Sequence, residues 1–387
     1  MRKENSLLRN TYSEDNPLLD PRMKKLADVL IGYSCRVQPG ERVLIDSFDV
    51  PAEMTTALIE RVVEAKGIPF VQTHQARVNR SLYMNASEEQ MNTLAKRDLE
   101  FMKEMQCYVG LRGSHNITEM SDVPPEKIQM VQRIMRPVLD QRVNCSKWVV
   151  LRWPTPSMAQ LASMSTEAFE DFYFDVCTLD YAKMARAVKP LSELMAKTDK
   201  VRILGPLDTD LSFSIKGVPN KPCVGEMNIP DGEIFTAPVR DSANGVIHFN
   251  TGTIEDGKPY DDIRLVFKDG KIIEATGSDT EGLNDVLDRD EGARYVGEFA
   301  LGFNPHIKKA MRDILFDEKI AGSIHFTPGR AYEEADNGNR SQIHWDMVLI
   351  QTPEFGGGEI YFDDMLIRKD GRFVPDSLQG LNPESLV

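Results

Sequence analysis

Between residues 42 and 154, short apolar runs that favour strand alternate with amphipathic runs that favour helix. No other feature limits the fold as strongly. RVLIDSF (42–48) reads as a buried strand, and PFVQTH (69–74), CYVGLRG (107–113) and KWVVLRWP (147–154) as further strands. AEMTTALIERVVEAKG (52–67), ASEEQMNTLAKRDLEFMKEM (86–105) and PPEKIQMVQRIMRPVLD (124–140) carry apolar residues at helical spacing. Alternation at this spacing predicts βαβ units around a parallel sheet.

The texture then changes. Residues 165–198 read as helical, and strands and hairpins follow: VRILGP, DLSFSIKG, GVIHFNTG, DIRLVFKDGKIIEATG and EIYFDDMLIRKDGRFV, with KDGK and KDGR as turns. Two helices are expected among them, at DTEGLNDVLDRD and at NPHIKKAMRDILFDEK (304–319). The expected organisation is a polar arm over residues 1–20, an N-terminal parallel α/β domain over 21–195 and a mixed α/β domain over 196–387. FGGGE (355–359) reads as a turn.

A net charge of −14 and a pI near 5.0 argue against nucleic acid or an anionic membrane as main partner. The five cysteines are scattered and never spaced CxxC, which predicts reduced thiols. With no signal-like N-terminus and no run of 18 apolar residues, the expected compartment is the cytoplasm. Rossmann, Walker, HExxH and GxSxG patterns are absent.

The chemistry concentrates in the second half. In SQIHWDMVLI (341–350), strand alternation puts His344 and Asp346 on one face and Ile343, Trp345 and Met347 on the other. A carboxylate in that setting needs a positive partner, either a basic side chain or a metal ion. His325, in GSIHFTPG, repeats the theme. Glu298 is the only charge from Tyr295 to Gly302, and Glu233 leads from a tight turn into an apolar strand. Each taken singly reads as a core histidine or a buried ion-pair member. Together, three carboxylates and two histidines form a mixed oxygen and nitrogen ligand set suited to two closely spaced ions. His74, His115, His306 and His248 read as ordinary surface, cap or strand residues.

The blocks VQPGERVLI, PTPSMAQLASMSTEAFEDFYFD, MNIPDGEIFTAP, YVGEFALGFNP, DEKIAGSIH and SQIHWDMV resemble the M29 (aminopeptidase T / aminopeptidase S) family of metallopeptidases, from about residue 22 to 372. The resemblance implies two-domain α/β subunits that form a homodimer around a chamber. It also implies a dinuclear site in the C-terminal domain, which cleaves the N-terminal residue from small peptides. Its ligand pattern falls on Glu233, bridging Glu298, His325, His344 and Asp346, and its active-site tyrosine on Tyr332. On that basis one ion is expected at Glu233, His325 and Glu298, and a second at Glu298, His344 and Asp346. The ions expected are zinc, cobalt or manganese, with magnesium a poorer fit. Glu318 is expected to orient a ligand or carry a proton. The polar loop EEADNGNR (333–340) is expected to gate the chamber or touch substrate, while Arg330 and Glu226 read as either site neighbours or surface charges.

Two rival readings follow from the same residues. His325, His344 and Asp346 alone suit mononuclear ferrous iron and ring-opening oxygen chemistry, as in a dioxygenase of hydroxylated pyridines. That reading leaves Glu233 and Glu298 without work. The other is a non-catalytic metal-binding scaffold, which the complete ligand set and Tyr332 weigh against.

Overall fold

The apolar strands of the first half place their side chains on both faces of a sheet, and they pair as the alternation predicts. A computed structural model describes residues 20–387, so the arm expected over residues 1–20 lies almost wholly outside the described residues. The chain divides into two compact units, the first formed by residues 20–112 and 119–148, the second by 113–118 and 149–387. The change-over thus falls at 148/149, whereas the change in sequence texture comes near residue 196.

In the first unit, β1 (Arg42–Phe48) lies between β2 (Ile68–His74) and β3 (Cys107–Arg112), parallel to both, with Ile45 opposite Val71 and Val109. Parallel neighbours need long crossovers, and the helices Ala52–Glu64, Ala76–Met84 and Glu88–Lys103 supply them. Ser87 starts the last of these by accepting the Gln90 N–H on its side chain. The helix Pro125–Cys145 packs beside it through Met91 and Val131.

Four short helices, Pro156–Leu161, Thr166–Cys177, Tyr181–Ala187 and Lys189–Met195, belong to the second unit. The helical run 165–198 is divided because Asp180 caps a new helix by accepting the Lys183 N–H, and Pro190 opens another. β4 (Lys147–Arg152) runs parallel to the two-residue β8 (Asn228–Ile229). Around β8 the chain forms β5 (Lys200–Leu204), β6 (Asp210–Ser214), β7 (Lys221–Cys223), β9 (Glu233–Thr236) and β10 (Asn244–His248). A small hairpin, β11 (Thr253–Glu255) with β12 (Lys258–Tyr260), precedes β13 (Arg264–Lys268) and β14 (Lys271–Thr276). Then come β15 (Val296–Gly302), β16 (Ser323–Pro328), β17 (Met347–Ile350), β18 (Glu359–Phe362), β19 (Met365–Lys369) and β20 (Arg372–Phe373).

These strands form an eight-stranded antiparallel sheet of order β14-β13-β10-β6-β5-β18-β19-β20 and a five-stranded one of order β17-β16-β15-β9-β7. The two sheets face each other across aromatic rings. Phe213 of β6 meets Phe299 of β15 at 5.0 Å and Phe326 of β16 at 5.2 Å between centroids. Alternation then directs Glu298 and His325 to the other face of the five-stranded sheet. Arg368 of β19, fully buried, donates to Ser323 O (2.8 Å) and Gln351 Oε1 (3.1 Å) and so ties the ends of β16 and β17 to the larger sheet.

The helix expected over 304–319 shrinks to Ile314–Asp317. Pro305 interrupts the run, and Arg312 takes a positive φ of 60°. Buried side chains replace the helical hydrogen bonds: Asn304 Oδ1 accepts the His306 N–H, and Asp317 accepts the Met311 N–H. All cysteines are free, and no helix among the described residues is long and apolar enough to cross a membrane.

Candidate metal centre

Register brings the suspect side chains together. In the five-stranded sheet Glu233 stands opposite Gly302, Ala300 opposite His325, and Glu298 opposite Thr327. Their shared face is carpeted by Phe235 and Ala300, with Ala335 packed above them. The segment 341–350 is strand only from Met347; His344 makes an isolated bridge with Gly329. The expected alternation survives in burial nonetheless, with Ile343, Trp345 and Met347 inside the core. Gly329 permits the crossing of the two segments. It has φ +113°, and a Cβ there would lie 2.2 Å from Ile343 O.

That crossing orients His344. Its Nδ1 donates to Arg330 O (2.7 Å), which leaves Nε2 facing Glu298 Oε2 and Asp346 Oδ1, each at 3.4 Å. His325 sits on the other side of the same carboxylate, with Nε2 2.9 Å from Glu298 Oε1 and Nδ1 3.4 Å from Glu233 Oε2. Glu298 thus offers one oxygen to each imidazole. Thr327 Oγ1 donates to Asp346 Oδ1 (2.7 Å) and fixes that carboxylate.

Two sets of ligand-competent atoms result, each within 4.8 Å: Glu298, His344 and Asp346, and Glu233, Glu318 and His325. Glu318 enters the first-ion set where the sequence had placed it only as an accessory. Three buried atoms, Glu233 Oε2, Glu298 Oε2 and His325 Nδ1, have no hydrogen-bond partner among the described residues. Orphaned acceptors and an imidazole nitrogen that converge in this way fit divalent cations.

The electrostatics agree. Burial opposes charge on His325, yet Glu298 and Glu233 raise its pKa to about 10; half-buried His344 is raised to about 11 by Asp346 and Glu298. Burial disfavours the charged form of Glu298, but His325 and His344 hold it below the usual carboxylate range, and burial lifts Glu233 to about 8. Protons on the imidazoles here supply the positive charge that a cation would bring.

Tyr332 lies against His344 with the rings tilted by 51° and their centroids 4.4 Å apart, and its ring centroid is 5.8 Å from that of Phe235. Partial burial and the field of Asp346 and Glu298 keep its hydroxyl protonated. The 333–340 loop is pinned: Asn337 donates to Pro238 O and Val296 O, and Asn339 to Gly292 O and Gly329 O. The Arg330 side chain is exposed and Glu226 is half-buried in the turn before β8. Sequence reasoning passed over Lys319, a fully buried cation whose ammonium lies 3.2 Å from Glu233 Oε1. A lysine directly preceding the uncharged IAGSI run was the available signal.

The Thr327→Val variant removes a single hydrogen bond from Asp346. Metal affinity is expected to fall about 10- to 100-fold, with the fold intact. Competition with a chelator measures this; unchanged affinity would show that Asp346 needs no anchor.

Carboxylate oxygens and imidazole nitrogens gathered on a mixed α/β scaffold form a set competent to bind divalent metal. The chain belongs to the M29 family, described as thermophilic metalloprotease, which matches residues 19–373. It is 24% identical to aminopeptidase 2 of Geobacillus stearothermophilus, over 92% of this chain and 96% of that one. Aminopeptidase T of Thermus thermophilus is 34% identical over 38% of this chain and 40% of its own. Wild-type AmpT from Thermus thermophilus superposes with a TM-score of 0.77 at 22% identity, covering 92% of this chain and 99% of that one. A 2,5-dihydroxypyridine dioxygenase from Pseudomonas putida KT2440 shares the fold more distantly, with a TM-score of 0.60 at 15% identity over 92% of this chain and 98% of that one.

Proposed function

We propose that the protein is an aminopeptidase that removes the N-terminal residue from small peptides at a centre of two divalent ions. The observation that carries this reading is Glu298, whose two oxygens each face a different imidazole. A site for one ferrous ion needs only His325, His344 and Asp346, and it leaves Glu233 and Glu298 as buried acids with no task. Glu233, His325 and shared Glu298 would hold one ion, with Glu298, His344 and Asp346 holding the other. Zinc, cobalt or manganese suits these donors, magnesium less well. When bound, the ions supply Lewis acidity and bring the pKa of a water towards neutrality.

The chain's own groups do the rest. Glu318, whose pKa burial raises, accepts the proton of the attacking water. Tyr332, held neutral, donates a hydrogen bond to the oxyanion as it forms. A homodimer in the cytoplasm, acting without nucleic acid or membrane, accords with the family resemblance and the acidic composition.

Leucine p-nitroanilide tests the reading. Purified protein with about two ions per chain should release p-nitroaniline, and a chelator should stop it. Bound ions without hydrolysis of any aminoacyl amide would overturn it. Tyr332→Phe should lower kcat about 10²- to 10³-fold and leave KM nearly unchanged. An unaltered kcat would remove Tyr332 from the chemistry.

A further inference from the structure

Lys319 is 1% exposed, and its ammonium is enclosed by acids. It donates to Glu233 Oε1 at 3.2 Å and to Glu318 Oε1, while Asp231 and Cys223 feel the same charge. A third set of ligand-competent atoms lies here: Cys223, Asp231 and Glu233 converge within 4.8 Å and share Glu233 with the set that contains His325. Cys223 stands opposite Glu233 in the β7/β9 ladder. The Asp231 carboxylate is fixed by the N–H groups of Gly225 (2.6 Å) and Gly232 (3.1 Å). This third set is therefore already built, with a lysine ammonium beside it.

We propose that Lys319 is a positioning residue that serves as a tethered internal cation. It holds Glu233 through one oxygen and keeps a third metal ion out of the Cys223–Asp231–Glu233 set. The inference rests on the two-ion reading above. Because Oε1 of Glu233 is engaged by the ammonium, only Oε2 is left to face His325 Nδ1, 3.4 Å away. Buried carboxylates must find positive charge somewhere. Without the ammonium, Asp231, Glu233 and Glu318 would take it from a further ion. The Cys223 sulfur, a soft donor, would favour a late transition metal there, its thiol giving up a proton to the buffer as the ion binds.

Cobalt(II) titration of the full chain reads this out, because a cysteine thiolate bound to cobalt absorbs in the near ultraviolet. The wild type should take up two equivalents and show no thiolate band. Lys319→Met should bind a third equivalent and gain the band, and adding Cys223→Ser should remove both. Lys319→Arg, which keeps the cation, should behave as wild type. Should Lys319→Met fail to fold, Lys319→Gln puts a shorter, uncharged polar side chain there and is judged by the same band. If the wild type takes two equivalents and the neutral variants also stop at two with no band, Lys319 does not exclude an ion. A wild type that never reaches two equivalents removes the two-ion reading itself, and this inference with it.

Discussion

Glu298→Ala should empty both halves of the centre and lower kcat/KM by at least about a thousandfold. Lewis-acid stabilisation is worth several kcal/mol, and each 1.36 kcal/mol is a factor of ten in rate. The size of the effect follows from position. Glu298 sends Oε1 to His325 and Oε2 to His344, so a single truncation removes an oxygen from both imidazoles. In the metal-free protein those imidazoles also lose the carboxylate that helps keep them charged. Glu298→Gln separates charge from shape, since the amide fills the same space and offers one acceptor. It should retain the fold and lose at least one ion per chain. Elemental analysis and p-nitroanilide hydrolysis on the same preparations decide the matter. An alanine variant with two ions and full activity would mean that the carboxylate bridges nothing.

The sequence made these residues visible one at a time and left their meeting unexplained. Glu298 stood out as a lone charge in an apolar strand, and β15 is buried along its whole length. His344 and Asp346 were legible because alternation persists in burial even where the ladder of β17 stops short of them. Their convergence depends on the strand order β17-β16-β15-β9, a product of long-range pairing that no local pattern encodes. Their number and apolar settings grouped them as a ligand set, and family resemblance supplied which residues share an ion.

Local patterns failed where burial substitutes for helix. The 304–313 run has helical spacing, yet its polar backbone is satisfied by Asn304 and Asp317 from within the core. Lys319 escaped notice for a related reason. A lysine just after a short helix reads as surface, and the carboxylates of Glu233, Glu318 and Asp231, brought from elsewhere in the fold or turned inward, make its burial tolerable. The change-over at 148/149 was hidden because the helices from 156 to 195 continue the texture of the first unit although they belong to the second.

Acidification should strip the metal, the two sets responding unequally. His325 and His344 have folded pKa values of about 10 and about 11, above the unfolded value of about 6.5. Their contribution to the stability of the metal-free protein is therefore fully present below about pH 6.5 and is lost as pH rises through 10 to 11. Ion binding has the opposite dependence, because an imidazole must release its proton before its nitrogen can bind. Glu233, lifted to about 8 by burial, adds a second proton to the set it shares with His325. Glu298 and Asp346 are held ionised, so the other set releases only the His344 proton. Each displaced proton weakens binding about tenfold per pH unit. From pH 8 to pH 6, affinity at the His344 set should fall about a hundredfold, and at the His325 set by more. At fixed free metal the His325 set should empty first, and excess metal should restore activity at the acid end. Calorimetry in buffers of different ionisation heat should show protons released on loading at pH 7. Metal occupancy that stays constant from pH 8 to pH 6, with no proton release, would mean that these imidazoles are not ligands.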